Sequence, residues 1–195
     1  MIIGITGTLG AGKGTVVGYL LEKGFKHLSV SKFLTGEIKK RGIEVNRNSM
    51  VRVANELRKK NSPSYLAEKL YEESLKQKGD YVLESLRNAG EIEFLRRRGN
   101  FHLISVDANP ETRYKRISKR KSEKDRVTYE EFLRNEEREM NPVNYYEIDL
   151  SGCMRMADFH IENNGKISGL TKKVEEIYRE ICKRQHNNSY KLISL

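Results

Sequence analysis

The chain has 195 residues, which is enough for one α/β domain with a substantial core. Lysine and arginine outnumber aspartate and glutamate by 37 to 27, and the resulting net charge of +10 favours polyanionic ligands such as nucleotides, coenzymes or RNA. The sequence has no apolar run of the ~18–20 residues that a membrane span needs and no signal-peptide pattern, so we expect a cytoplasmic protein without a membrane partner. The two cysteines, Cys153 and Cys182, suggest neither a disulfide framework nor a zinc motif.

Apolar runs alternate with helical patterns along the chain, which is typical of a parallel sheet wrapped by helices. Residues 31–79 contain no convincing strand pattern and are predicted to form several helices. Later helices are predicted at 88–98, from Asn109, from Thr128 and, at the end, along an apolar stripe from Leu170 to Ile181. The predicted strands span residues 1–6, 26–30, 80–85, 101–107 and 158–162.

A glycine-rich loop, GTLGAGKGT, follows the first predicted strand at residues 7–15. Glycine accepts positive φ angles, so the backbone can turn around an anion while the next helix directs its positive end at the same place. Lys13 adds a full charge for the β- and γ-phosphates, and Thr15 offers Mg²⁺ a hydroxyl one position later than usual, because Gly14 stands directly after the lysine. A plain turn without a ligand is the alternative. The predicted ATP-binding residues are Gly7, Gly10, Ala11, Gly12, Lys13, Gly14 and Thr15.

Two charged residues follow the third predicted strand. Glu84 stands at its carboxyl end, where parallel α/β sheets hold Mg²⁺ and its water ligands. Arg87 comes three residues later and can bind a phosphate through two hydrogen bonds. The alternatives are a surface ion pair for Glu84 and a salt bridge at the helix start for Arg87.

A basic segment follows the fourth predicted strand at residues 111–126. At 100° per residue, Arg113, Arg116 and Arg120 lie within about 60° of one another beside an apolar edge. Such a stripe can face a cleft and neutralise the charge that develops during phosphoryl transfer. The alternative is an exposed basic helix that contacts solvent or RNA.

The motif Gly-x-x-Gly-x-Gly-Lys-Gly-Thr resembles that of the nucleoside monophosphate kinases, the adenylate-kinase branch of the P-loop kinases. Residues 157–165, ADFHIENNG, are similar to the last strand and turn of the dephospho-CoA kinases and their relatives. The resemblance covers about residues 1–182. It implies a three-layer α/β fold with five parallel strands in the order 2-3-1-4-5. We expect one kinase domain over residues 1–184, with a helical acceptor-binding insertion at 31–79 and a short lid at 113–128, and a flexible tail over 185–195.

The resemblance also implies roles for individual residues. Glu84 would hold magnesium-bound water together with Thr15, and Arg87 would hold the phosphate of the acceptor. Asn164 and Gly165 would lie beside the adenine of ATP. The lid would supply catalytic arginines that act with Lys13, namely Arg116, Arg120 and Arg126.

The acceptor lobe departs from the family pattern, because Thr35 stands near the place of the usual phosphate-binding arginine. Arg41, Arg47 and Arg52 are the candidates to replace it. The predicted activity is transfer of the γ-phosphoryl group of Mg·ATP to a small phosphorylated acceptor, foremost a (deoxy)nucleoside monophosphate.

Two other functions stay open at this point. Dephospho-CoA is the second candidate acceptor, which the C-terminal turn favours and Gly14 disfavours. An adenylate-kinase-like ATPase that acts as an RNA- or ribosome-associated factor is the third reading, which the basic charge allows. The base preference and the oligomeric state are left open by the sequence.

Overall fold

Five parallel strands form the centre of the computed structural model, which describes residues 1–120 and 127–193, with side chains described up to residue 185. The sheet order is β2-β3-β1-β4-β5, which confirms the predicted order. Each strand starts and ends within one residue of the predicted bounds. They are β1 (Ile2–Gly7), β2 (Lys26–Ser29), β3 (Tyr81–Glu84), β4 (Phe101–Asp107) and β5 (Phe159–Glu162).

The helices cover both faces of this sheet. The insertion between β2 and β3 is helical, as its lack of a strand pattern predicts, and α8 is a short helix that the sequence pattern did not indicate. The last helix runs into the segment predicted as a flexible tail, and that flexibility stays a prediction. The helices are α1 (Lys13–Glu22), α2 (Val30–Lys40), α3 (Arg47–Lys60), α4 (Tyr65–Leu75), α5 (Ala89–Arg97), α6 (Pro110–Lys119), α7 (Tyr129–Met140), α8 (Leu150–Arg155) and α9 (Ile167–Ile193).

Alternation along the strands sorts the core into two apolar clusters, one on each face of the sheet. Val82 packs in the cluster formed with α1 and α9, while its neighbours Tyr81 and Leu83 pack in the cluster formed with α2, α3, α4 and α5. Successive strand side chains point to opposite faces, so strands covered by helices on both sides are apolar throughout. Three layers result, as predicted.

The parallel arrangement also creates the edge at which the site lies. The carboxyl ends of β1, β3 and β4 are neighbours, and they carry Gly7, Glu84 and Asp107. Gly7 has a φ angle of 127°, and a Cβ atom there would lie 2.0 Å from the carbonyl oxygen of Val106. Only glycine therefore lets the chain leave β1 this close to β4.

We expect Gly7→Ala to lower the free energy of unfolding by about 3 kcal/mol, because it adds a disfavoured φ angle to a backbone clash. Gly18→Ala is the matched control, since Gly18 lies inside α1 and a Cβ there meets nothing within 4 Å. That change should raise the free energy of unfolding by about 0.5–1 kcal/mol. Urea denaturation measures both. A Gly7→Ala protein as stable as the wild type would contradict this account of the strand end.

Candidate functional site

A cleft of about 890 Å³ opens at this edge of the sheet, between the P-loop and the helices α2 and α3 of the insertion. Side chains from α6 and α7 complete its wall. Gly7 and Ala11 belong to the same loop but are buried and do not line the cleft. The predicted site residues that the structure brings together as lining of this cleft are Gly10, Gly12, Lys13, Gly14, Thr15, Glu84, Arg87, Arg116 and Arg120.

The P-loop has the backbone shape that an anion site requires. Gly12 stands at the N-cap of α1 with a φ angle of 107°, and no side chain caps the helix there. The amides of Thr15 and Val16 donate to the carbonyl oxygen of Gly12, while no side chain takes up the amides at the very start of the helix, which can donate to a bound anion. Asn163, from the turn after β5, supports the loop from behind, because its Nδ2 donates to the carbonyl oxygen of Ala11 at 2.7 Å.

Lys13 is folded back onto the loop. Its Nζ donates to the carbonyl oxygens of Gly7 at 2.9 Å and Thr8 at 2.6 Å. Burial lowers the pKa of Lys13 to about 7, and the nearby positive charges of Arg87 and Arg47 act in the same direction. The amine is consequently near its titration point at neutral pH, and a bound anion would favour its charged form.

Glu84 faces the same cleft as Thr15. Its carboxylate contacts Nε2 of His27 at 3.1 Å. Burial acts to raise the pKa of Glu84, but the hydrogen bond from His27 and the charges of Lys13 and Arg87 outweigh it and keep the pKa below its ordinary value. Glu84 is therefore an anion at neutral pH.

This donor set fits Mg²⁺ rather than a metal that needs a cage of side chains. Within the described parts of the chain, no three histidine, cysteine, aspartate or glutamate residues converge. Mg²⁺ keeps several waters and takes one or two protein oxygens together with phosphate oxygens. A carboxylate at Glu84 and a hydroxyl at Thr15, beside a phosphate-binding loop, match that requirement.

A buried carboxylate that sequence reasoning missed holds two arginines together. Glu139 on α7 is 2% exposed and accepts hydrogen bonds from Arg47 of α3 and from Arg87. The main chain of Arg87 is fixed as well, since its amide donates to Glu91 at 2.7 Å and its carbonyl accepts from Asp149 at 2.8 Å. Both arginines line the cleft on the side of the insertion.

The basic stripe of α6 divides into two parts. Arg113 is 2% exposed, donates to both oxygens of Glu136 and packs against the ring of Phe132, so it joins α6 to α7 rather than lining the cleft. Arg116 and Arg120 line the cleft. The side chain of Arg116 donates to the carbonyl oxygen of Gly165 at 3.3 Å. Arg126 lies outside the described residues.

Four other predicted site residues do not line this cleft. Arg41 and Arg52 both pair with Glu56 on the exposed side of the insertion. The side chain of Asn164 accepts from the amide of Asn109 at 2.7 Å, and Gly165 contacts Arg116 as described above. Whether Asn164 and Gly165 contact adenine stays a prediction.

The buried carboxylate of Glu139 makes the stability of the protein depend on pH. Burial acts to raise the pKa of Glu139, but Arg87 and Arg47 outweigh it and hold the pKa below its ordinary value. A depressed pKa in the folded state contributes stability that is present above the unfolded pKa, about 4.3, and is lost as the pH falls through the folded value.

We therefore expect Glu139→Gln to lower the free energy of unfolding by about 3 kcal/mol at pH 7, because two half-buried arginines lose their anionic partner. The difference from the wild type should shrink below about pH 4. Glu137→Gln, at an exposed position of the same helix, should change the free energy by less than about 0.5 kcal/mol. Urea denaturation at both pH values tests this, and an equal loss at each would refute it.

In the part of the chain that the structure describes, no helix combines the length and the apolar character that crossing a bilayer requires.

Comparison with solved structures supports the fold. A gluconokinase from Sinorhizobium meliloti 1021 superposes with a TM-score of 0.58 at 9% identity, over 97% of this chain and 95% of that one. A dephospho-CoA kinase from Campylobacter jejuni superposes with a TM-score of 0.50 at 16% identity, over 92% and 96%. At such identities the likeness shows the fold alone.

Sequence comparison places the chain among relatives of similar length. A UPF0200 protein of Methanothermobacter thermautotrophicus is 28% identical over 191 residues, which are 97% of this chain and 95% of that protein. The family model AAA_18, described as an AAA domain, matches residues 3–142. The chain therefore belongs to the AAA_18 family and has the P-loop kinase fold that its loop motif predicts.

Proposed function

We propose that this protein transfers the γ-phosphoryl group of Mg·ATP to a small phosphorylated acceptor, foremost a (deoxy)nucleoside monophosphate. The observation that carries the proposal is that one cleft contains two cationic sites: Lys13 on the P-loop, and the pair Arg47 and Arg87 on the insertion side. The two sites are close enough for the charges of the arginines to lower the pKa of Lys13. A kinase with a phosphorylated acceptor needs such a pair of anion sites side by side.

On the donor side, the loop residues 7–15 hold the β- and γ-phosphates of ATP through main-chain amides and Lys13. Thr15 and Glu84 would hold Mg²⁺ and its waters, and the ion would supply charge neutralisation for the transferring group. Asn164 and Gly165 lie toward the adenine. Arg116 and Arg120, with Arg126 next along the chain, close over the transferring group and meet the charge that develops on it.

On the acceptor side, Arg87 and Arg47 hold the phosphate. Of the three arginines that the sequence offers for this second role, Arg47 lines the cleft, while Arg41 and Arg52 pair with Glu56 outside it. Apolar side chains cover the rest of this side and suit a flat, weakly polar group such as a base. They are Val30, Leu34, Met50, Val51, Ala54 and Ile148.

Two other readings each have one observation in their favour. The dephospho-CoA kinase from Campylobacter jejuni shares the fold at a TM-score of 0.50, which keeps dephospho-CoA as an acceptor. The net charge of +10 keeps an ATPase that acts with RNA or the ribosome. In each case we propose a cytoplasmic location.

The acceptor is identified by measuring ADP formation with ATP alone, and then with added ribo- and deoxynucleoside monophosphates, dephospho-CoA or RNA. We expect slow hydrolysis with ATP alone, strong stimulation by a monophosphate, and loss of turnover in Lys13→Ala. Arg87→Ala should raise the KM for the acceptor about tenfold or more with a smaller change in kcat. Arg155→Ala, an exposed position on α8, is the matched control and should change neither constant.

Each alternative has its own outcome in this assay. Stimulation by dephospho-CoA alone would move the function to coenzyme A synthesis on the same fold. Stimulation by RNA, with no response to any small acceptor, would replace the kinase reading with the ATPase reading.

The lowered pKa of Lys13 predicts how nucleotide binding depends on pH. Bound phosphate favours the charged amine, so the pKa of Lys13 is higher in the complex than in the free protein. The affinity for ATP should consequently be greatest below about pH 7 and fall as the pH rises from 7 to 9, with uptake of a proton on binding. Calorimetry in buffers of different ionisation enthalpy measures that uptake. An affinity that stays flat over this range, or binding that releases a proton, would count against the assignment of Lys13.

A further inference from the structure

His27 on β2 lines the cleft beside Glu84, and the sheet register places the two residues on one face. Ser29 pairs with Glu84 and His27 pairs with Val82, so His27 lies two positions from Glu84 across the parallel strands. Val82 packs in the apolar cluster formed with α1. Because side chains alternate along a strand, His27 and Glu84 leave the sheet on that same face, toward the start of α1.

The contact between these two residues uses one oxygen of the carboxylate. Nε2 of His27 lies 3.1 Å from Oε2 of Glu84. Glu84 is an anion at neutral pH and has no proton to donate, so the imidazole carries its proton on Nε2 and donates the hydrogen bond. The other oxygen, Oε1, accepts no hydrogen bond from the described residues and is not buried. Oε1 is therefore left for a ligand in the cleft.

Two cations of the cleft can compete for Glu84. The charges of Lys13 and Arg87 both act on its carboxylate and lower its pKa. Lys13 bonds to the loop carbonyls and Arg87 to Glu139, so neither forms an ion pair with Glu84 here. If the flexible side chain of Glu84 turned to either cation, the carboxylate would neutralise a charge that a phosphate needs. The hydrogen bond from His27 opposes that rotation.

A purely structural role would make these residues a cross-strand pair at the edge of the sheet. The side chains of His27 and Glu84 are 32% and 21% exposed, and exposed ion pairs contribute little to stability. Ser29 faces Glu84 directly in the register, but its hydroxyl accepts from the amide of Lys32 and caps α2. The orientation of Glu84 therefore explains the contact better than the stability of the sheet does.

We propose that His27 is a positioning residue, whose Nε2 hydrogen bond holds Glu84 so that Oε1 stays available to Mg²⁺ and its waters. The inference rests on the proposed role of Glu84 in holding Mg²⁺ with ATP, and it does not depend on which acceptor the protein uses. Loss of a side chain that orients a metal ligand typically lowers metal affinity by about 10–100-fold. The effect of His27 should pass through Glu84 alone.

The test compares binding of the non-hydrolysable ATP analogue AMPPNP in Mg²⁺ with binding in EDTA, measured by calorimetry on the full-length protein. The ratio of the two affinities is the gain due to magnesium. In His27→Leu that gain should fall about tenfold, or to one where the wild-type gain is smaller, while the affinity in EDTA changes less than about twofold. A merely structural defect would lower both affinities and leave their ratio unchanged.

Further variants separate the hydrogen bond from the ring itself. His27→Gln keeps an N–H donor at the same number of bonds from the backbone, so it should restore most of the gain. Glu84→Gln should lose the gain, and adding His27→Leu to it should change nothing more, because both changes act on one contact. His160→Leu is the matched control and should keep the gain, since its ring contacts Ser105 at 2.8 Å and does not line the cleft.

Thermal unfolding shows which variants keep the fold. His27→Asn, whose amide is one bond shorter and does not reach Glu84, takes the place of His27→Leu if that variant unfolds.

Each outcome has one interpretation. A gain that falls in His27→Leu, returns in His27→Gln and does not respond to His27→Leu once Glu84 is replaced supports the inference. A gain that Glu84→Gln abolishes and His27→Leu leaves intact overturns it and leaves the role of Glu84 standing, as does a loss that His27→Gln fails to restore. If the wild type shows no gain, or Glu84→Gln keeps it, the metal role of Glu84 fails together with the inference, and the acceptor assay decides the kinase function separately. If AMPPNP does not bind at all, the proposed function fails.

Discussion

The insertion side of the cleft depends on two buried carboxylates that hold its arginines. Glu139 holds Arg47 and Arg87, and Glu91 holds Arg58 together with the main chain of Arg87. A guanidinium cannot lose its proton in a protein, so a buried one needs an anion beside it. Because these pairs join α3, the loop after β3, α5 and α7, the same interactions that make buried arginines tolerable also fix the geometry of the site.

The P-loop side of the cleft depends on backbone geometry instead. Parallel strands end at one edge, and the positive φ angles of Gly7 and Gly12 turn the chain into a loop around the start of α1. Lys13 lies between the two sides: it bonds to loop carbonyls, and its pKa responds to the arginines of the insertion. The site is thus an electrostatic unit built from segments that are far apart in sequence.

The difference between local backbone features and contacts between distant segments explains which parts of the site could be predicted from the sequence. The P-loop was predictable because glycine conformation, the lysine and the helix start are local features. The helical insertion was predictable from its lack of a strand pattern, whereas the strand order came from resemblance and not from periodicity. Contacts between distant segments were not predictable, and Glu139 is the clearest case, since it meets Arg87 across 52 residues.

The direction in which each side chain leaves its segment explains why only some of the predicted arginines line the cleft. Arg41 and Arg52 are basic residues near the right place, but the insertion turns them toward Glu56, and Arg47 faces the cleft instead. Arg113 shares a stripe with Arg116, yet its contacts with Glu136 and Phe132 bury it, a result that depends on how α7 packs. Asn163 bonds to the P-loop, although the sequence analysis singled out the next two residues, Asn164 and Gly165. Which residue of this turn meets the loop depends on how β5 pairs with β4, and the sequence alone does not show that pairing.

Part of the chain's positive charge is concentrated in the cleft. Among the described residues, seven lysines and arginines line the cleft against two glutamates. Burial is the main cause of the lowered pKa of Lys13, and repulsion by the neighbouring charges of Arg87 and Arg47 adds to it. Bound phosphates relieve that repulsion, and two anions relieve it more than one does. The anion at each site also reduces the positive potential at the other site. A ligand pair of nucleotide and phosphorylated acceptor therefore suits the electrostatics of this cleft better than a single anion does.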